Sequence, residues 1–256
     1  MLEHEVRNGI LILRLDNPAR LNAWSEATRG AIGTALDAAA AEPEIRATVV
    51  TGTGPRAFCA GADLTDPTMG DPAAADRRMK AFLAFYRSIM FFPKPTVAAL
   101  NGMALGSAFQ AVLLMDARIG HSGVRFGMPE INSGMPCITG STILLQVLGP
   151  LLARNLATTG RYVGADEASR LGLLDEIVPE DEVLPRAIAV AEALSAKAPT
   201  AYAETKAWLR DQTLPAIEEA FRRVTVVRGK EDVARGVRGG IEDFFSRRGK
   251  SATAPH

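Results

Sequence analysis

An α/β fold is the expectation for this chain. Three observations carry it: short β-branched or aliphatic runs recur, helical stretches separate them, and glycine-punctuated turns follow them. The runs are Ile10 to Leu15, Ala47 to Thr51, Thr96 to Leu100 and Leu173 to Val178. A chain of 256 residues, 47% of them hydrophobic, buries roughly three quarters of its extended surface on folding and needs no disulfide or metal staple. Lys plus Arg and Asp plus Glu both total 29, so no net field recruits nucleic acid or an acidic membrane, and a small molecule is the expected partner.

The opening segment, MLEHEVRNGI, has acidic residues where a secretory signal carries basic ones, and no apolar run approaches the ~18 residues of a membrane span. A cytoplasmic protein is expected. Ser25 is placed to cap a helix running through Ala41, with Ile32 and Leu36 on one face and Glu42-Pro43 at its end. Thr65 to Asp76, with Pro67, Gly70 and Pro72, reads as a loop feeding a helix that carries Met79, Phe82, Leu83 and Tyr86.

After Pro179 strand signals fade, and Pro199 and Pro215 punctuate candidate helices. The chain therefore divides into a core at 1–198 and a helical region at 199–256. In that region Arg222, Arg223, Arg228, Lys230, Arg235, Arg238, Arg247, Arg248 and Lys250 interleave with Glu218, Glu219, Glu231, Asp232, Glu242 and Asp243. Such mixing predicts a solvated, ion-paired surface. A nucleotide-phosphate contact from one or two of the basic residues is the alternative, and Ser251 to His256 read as a loose tail.

Three segments carry chemistry. Thr51 to Leu64 is a strand entering a turn of small residues, Cys59-Ala60-Gly61-Ala62-Asp63, where a ligand can approach free backbone N–H groups; Arg56 stands beside it. Lys94 to Asp116 is a buried-looking strand, a turn at Asn101-Gly102-Met103-Ala104-Leu105-Gly106, and a helix apolar nearly all round. Ser107 falls in its first turn, where the amide lacks an intrahelical acceptor and the helix dipole favours an oxyanion. Gln110, three residues on, is the only long polar side chain in that helix and needs a partner, since an unpaired buried amide costs about 1–3 kcal/mol; it is either a satisfied structural residue or a catalytic one that orients substrate or water. Phe126 to Cys137 holds Glu130 between proline and glycine positions. Cys59 and Cys137 lack CxxC spacing and His4, His121 and His256 do not cluster, so reduced thiols are expected and a metal site is not.

These segments resemble the crotonase superfamily, the enoyl-CoA hydratase/isomerase family, through Asn17-Pro18-Ala19-Arg20-Leu21-Asn22-Ala23, Ala60-Gly61-Ala62-Asp63, Asn101 to Gly106, Pro129-Glu130 and Leu171 to Pro179. The resemblance implies a spiral of ββα units followed by a helical trimerisation region, in a homotrimer or a dimer of trimers. It implies an acyl-CoA substrate, with no cofactor beyond the coenzyme A of the thioester. It places two oxyanion-hole amides at Ala62 and Ser107 and an acid/base at Glu130, with substrate contacts at Arg20, Leu21, Ala23, Ala60, Asp63, Leu64, Gly106 and Cys137.

Two departures bear on the reaction. The family's hydratases carry a second glutamate where this chain has Gln110, which cannot exchange a proton at neutral pH. Ser107 replaces a usual glycine, leaving the main-chain donor but narrowing the hole, and Cys137 stands near the expected water site. One carboxylate makes double-bond isomerisation chemically easier than hydration. Decarboxylation or C–C hydrolysis of an acyl-CoA is a second class, and a non-catalytic coenzyme A-binding protein a third.

Overall fold

The computed structural model describes the backbone of residues 1–251 and the side chains of residues 1–246. Of the tail expected from Ser251 to His256, Ser251 ends the last helix and residues 252–256 lie outside the described residues, as do the side chains of Arg247, Arg248 and Lys250.

Strands β1 (Leu2–Arg7), β2 (Ile10–Leu15), β3 (Ala47–Gly52), β5 (Thr96–Leu100), β7 (Ala117–Gly120) and β10 (Glu176–Ile177) form one sheet in the order β1-β2-β3-β5-β7-β10. A second sheet has the order β4-β6-β8-β9, from β4 (Ala57–Cys59), β6 (Met103–Leu105), β8 (Arg125–Gly127) and β9 (Tyr162–Gly164). The helices are α1 (Glu26–Ala41), α2 (Ala75–Phe91), α3 (Ser107–Leu113), α4 (Ile138–Thr159), α5 (Ala165–Arg170), α6 (Val183–Ser195), α7 (Pro199–Arg228) and α8 (Glu231–Ser251).

One unit recurs: β3-β4-α2, then β5-β6-α3, then β7-β8-α4. Each time the first strand joins the large sheet, the second joins the small sheet, and a helix follows. β4, β6 and β8 are parallel neighbours, so their C-terminal exits lie side by side. Ligands collect at the carboxyl ends of parallel strands for the same reason of topology. The chemistry-bearing segments are those three exits.

The large sheet is covered on both faces, which is why its strands read as continuous apolar runs and not as alternating ones. Leu11, Leu13 and Leu15 of β2 join the main core with α1 and α2, while Ile10 and Ile12 point the other way, into a smaller core under α6. Ser25 caps α1 as expected, its hydroxyl accepting from the Thr28 amide at 3.1 Å. Helix α7 adds Ile217, Phe221 and Val224 to the main core. Lys206 fastens it there, donating to Asp116 Oδ2 at 2.7 Å, and Arg87 of α2 pairs with Glu218.

Three expectations are corrected. The strand expected over Leu173 to Val178 shrinks to β10, because Leu173 and Leu174 are spent filling the core and the Leu173 amide is taken by Ala168 O. Pro215 does not punctuate: α7 runs through it, the lost amide donor being tolerated within a helix held by its packing. β1 was not expected. Its sequence, LEHEVR, carries charges on an edge strand, and antiparallel pairing with β2 supplies its order.

Candidate active site

The three strand exits meet around one cavity of about 490 Å³. Gly61, at φ +92°, sits so near the start of α3 that an added Cβ would lie 2.7 Å from Leu105 O and 3.5 Å from Ser107 N. Gly106, at φ +54°, precedes α3, and a Cβ there would lie 3.3 Å from Glu130 Oε1. Left-handed φ and a missing side chain are both needed at these contacts. The start of α3 is therefore flanked closely by the turn bearing Ala62 on one side and by the Glu130 carboxyl on the other.

Neighbouring amides on the two turns are occupied. Ala60 N–H donates to Leu21 O, Gly61 N–H to Cys59 Sγ, Asp63 N–H to Trp24 O and Gly106 N–H to Gly127 O. Ser107 N–H is the first of its helix and has no acceptor within it. The Ser107 hydroxyl accepts from Trp24 Nε1 at 3.0 Å, and Trp24 is buried, so the side chain that replaces glycine is anchored sideways.

Gln110 is buried and fully engaged by protein. Its Nε2 donates to Glu130 Oε1 at 3.0 Å, and its Oε1 accepts from the hydroxyls of Tyr86 and Thr139, each at 3.0 Å. Two hydroxyl donors on one oxygen fix the amide orientation and direct the N–H at the carboxylate. Tyr86 O–H also reaches Ser107 O at 3.2 Å, tying α2 to the start of α3.

Glu130 is the second residue of a short 3-10 turn, Pro129–Ser133, and lines the cavity. Its Oε2 is buried with no hydrogen-bond partner among the described residues. Burial pushes the carboxyl above its ordinary value, opposed by its own amide, the Arg228 charge and the Gln110 donor. A carboxyl held this way is poised to exchange a proton nearer neutrality than an exposed one. Burial likewise pushes the Tyr86 phenol and the Cys137 thiol up, with the Glu130 charge adding to both, so each keeps its proton. Cys137 is thereby a poor nucleophile.

Leu21, Ala60, Ala62, Leu64, Gly106 and Ser107 line the cavity, and so do Gln110, Glu130 and Cys137. Three expected contacts stand outside its wall. Arg20 is exposed and pairs with Asp63 at 3.1 Å, while Ala23 and Asp63 line a separate cleft of about 160 Å³. Arg56 is exposed and donates to Pro18 O. Sequence reasoning missed Arg78, Phe82, Tyr86 and Met79 from α2 and Phe221, Val224 and Arg228 from α7, all of which line the cavity. The sequence places Tyr86 on a helix without assigning it a role, and Arg228 among many surface charges. Among the described residues no group of three or more His, Cys, Asp or Glu could hold a metal, and no helix is long and apolar enough to cross a membrane.

Residues 5–249 match the family described as enoyl-CoA hydratase/isomerase. The chain is 32% identical over 233 residues to a 2,3-dehydroadipyl-CoA hydratase of Escherichia coli strain K12, covering 89% of this chain and 90% of the relative. It is 32% identical over 224 residues to a crotonyl-CoA hydratase of Syntrophomonas wolfei, covering 86% and 85%. Among solved structures, a carnitinyl-CoA dehydratase from Mycobacterium avium 104 superposes with a TM-score of 0.79 at 30% identity, covering 93% of this chain and 95% of that one.

Proposed function

Because the chain belongs to the enoyl-CoA hydratase/isomerase family, we propose that it is an acyl-CoA enzyme that works through a thioester enolate. The Ala62 and Ser107 amides bind the thioester oxygen, and Glu130 Oε2 moves the proton. The observation that carries this reading is the contact of the Gly61 turn, the start of α3 and a carboxylate whose second oxygen is buried without a partner. Two donors aimed at a developing oxyanion stabilise the enolate more than the starting carbonyl, and losing one such donor typically costs about 10²–10³ in rate.

Double-bond isomerisation is the reaction the site supports best. Glu130 Oε2 takes a proton from the α-carbon of a 3-enoyl thioester, the electron pair passes into the enolate, and the same oxygen returns the proton at the γ-carbon as the double bond moves. Gln110 acts as a positioning residue: its three contacts are all to protein, and it holds Oε1 so that Oε2 does the transfer. Hydration is the second reading, favoured by relatives named as hydratases at 32% identity. No cofactor beyond the substrate's coenzyme A enters either one.

A homotrimer or a dimer of trimers belongs to the same proposal, supported by Leu151, Trp208 and Leu209, which are 80%, 67% and 61% exposed in the single chain. Sedimentation velocity tests it, and a monomer refutes it. A cytoplasmic location accords with the free thiols of Cys59 and Cys137. For the chemistry, product analysis with crotonyl-, 3-enoyl- and malonyl-type thioesters separates hydration, isomerisation and decarboxylation. If none turns over and all three bind, the chain is a non-catalytic binding protein. If turnover survives Glu130→Gln undiminished, the acid/base assignment is wrong.

A further inference from the structure

Two basic residues of the C-terminal helices are paired at the surface, Arg222 with Glu219 and Arg238 with Glu231. Arg228, the last residue of α7, is different. It lines the cavity, its Nε is buried with no hydrogen-bond partner, and no ion pair engages its guanidinium among the described residues. Arg78 of α2 lines the same cavity and is buried, its Nη1 donating to Thr68 O at 3.1 Å and its Nη2 resting on Met69 Sδ. Both arginines also border a small adjoining void with Asp71, Met79, Val233 and Val237, the Asp71 carboxylate there being taken by the Ala73 amide. Arg125, exposed, is the third arginine on the wall, so the two guanidinium groups withdrawn from solvent, Arg78 and Arg228, share a mainly apolar cavity in which Glu130 is the one carboxylate among the described residues.

A hydrocarbon acyl chain filling this space would strip water from Arg228 and return no acceptor, and a buried cation left in that state is strongly disfavoured. A nucleotide phosphate is a poor match, since Arg228 acts electrostatically on Glu130, Cys137 and Tyr86, the groups of the reacting end. Burial and the like charge of Arg78 already hold the Arg228 guanidinium down at about 10, the condition an anion relieves. We propose that the acyl group carries a second carboxylate, received inside the cavity by the Arg228 guanidinium with Arg78 alongside. The substrate class is then the mono-coenzyme A thioester of a dicarboxylic acid. Guanidinium and carboxylate pair through two parallel hydrogen bonds, so recognition is geometric as well as electrostatic. The proposal rests on the acyl-CoA reading of the cavity.

Calorimetry with unreactive saturated thioesters tests it without depending on the reaction. Three matched-length ligands are compared on wild type, Arg228→Gln and Arg228→Lys: a dicarboxylic mono-CoA thioester, a plain fatty acyl-CoA and one ending in a quaternary ammonium group. In wild type the dicarboxylic thioester binds about tenfold or more tighter than the fatty one, and the cationic one is weakest. Arg228→Gln collapses the dicarboxylic-to-fatty ratio to within about threefold, while Arg228→Lys, which keeps the cation, retains part of it. An equal ratio in wild type, or a preference that survives Arg228→Gln, overturns the proposal. Failure of the underlying reading looks different: no coenzyme A thioester binds at all, and both fall together.

Discussion

The cavity has two kinds of wall. One is backbone: the turn after β4 and the turn after β6 run between small residues, and their spacing is set by a contact that leaves no room for a side chain at Gly61 and by a positive φ with tight room at Gly106. The other is side chain: Gln110, Tyr86, Thr139 and Glu130 from four separated stretches form one chain of hydrogen bonds, with Arg78 and Arg228 beside it. A backbone wall is fixed by the strands that end in it. A side-chain wall is fixed only by its partners, so it can be retuned one residue at a time.

The largest expected effect comes from the one atom that ties the walls together functionally. Glu130→Gln should lower kcat on the order of 10³-fold while leaving binding of a saturated acyl-CoA within a few-fold, measured by steady-state kinetics and calorimetry. A matching loss of binding would mean that the residue shapes the pocket and does not move the proton. On the backbone wall, Gly61→Ala forces a Cβ to 2.7 Å from Leu105 O at positive φ, so the Ala62 amide must shift. We expect about 10²-fold off kcat with a folded protein by circular dichroism. An unchanged kcat would show that this wall does not bind the oxyanion.

Gln110→Leu attacks the other wall. It removes the donor to Glu130 and the acceptor shared by the Tyr86 and Thr139 hydroxyls, costing about 1–3 kcal/mol of stability for each group left orphaned. Thermal melting reads that loss, and kcat should fall less than in Glu130→Gln. Gln110→Glu should instead place two carboxyls within hydrogen-bond distance, so that they titrate as a pair and the pH-rate profile gains a second step.

The smallest effects are in pH. Since burial raises the Glu130 carboxyl above 4.5, the acid limb of kcat/KM should lie above that value and vanish in Glu130→Gln. Removing the Arg228 charge should raise the limb further, because that charge pulls the carboxyl down. For stability the sign is the reverse of a salt-bridged acid. Glu130's contribution is fully present below the unfolded value of 4.5 and is lost as pH rises through the higher folded value, so Glu130→Gln should flatten the fall in stability over that window.

The difference between the walls also explains what could be read in the sequence. Cys59 to Asp63, Asn101 to Ser107 and Pro129-Glu130 are contiguous, follow strands, and occur in the same order as β4, β6 and β8 stand in the small sheet. Their adjacency follows from repetition of one unit. Gln110 could be singled out because a lone amide in an apolar helix must have a partner, but Tyr86 and Thr139 as those partners could not, lying 24 and 29 residues away. Arg228 was hidden for a different reason: in a helix full of charges, only its place on the cavity wall separates a half-buried cation from its solvated neighbours. The small-sheet strands, three residues each, are too short for a period to show.

Gln110 has one more consequence, concerning isotopes. An amide is neither acid nor base in the working pH range, and Tyr86 and Cys137 keep their protons, so in the proposed reaction Glu130 is the seat for a proton taken from the substrate. A deuterium abstracted at one carbon is held on Glu130 until it is returned or exchanged with the neighbouring Cys137 thiol, and burial of Oε2 slows its escape to solvent. The label should therefore travel with the molecule it came from.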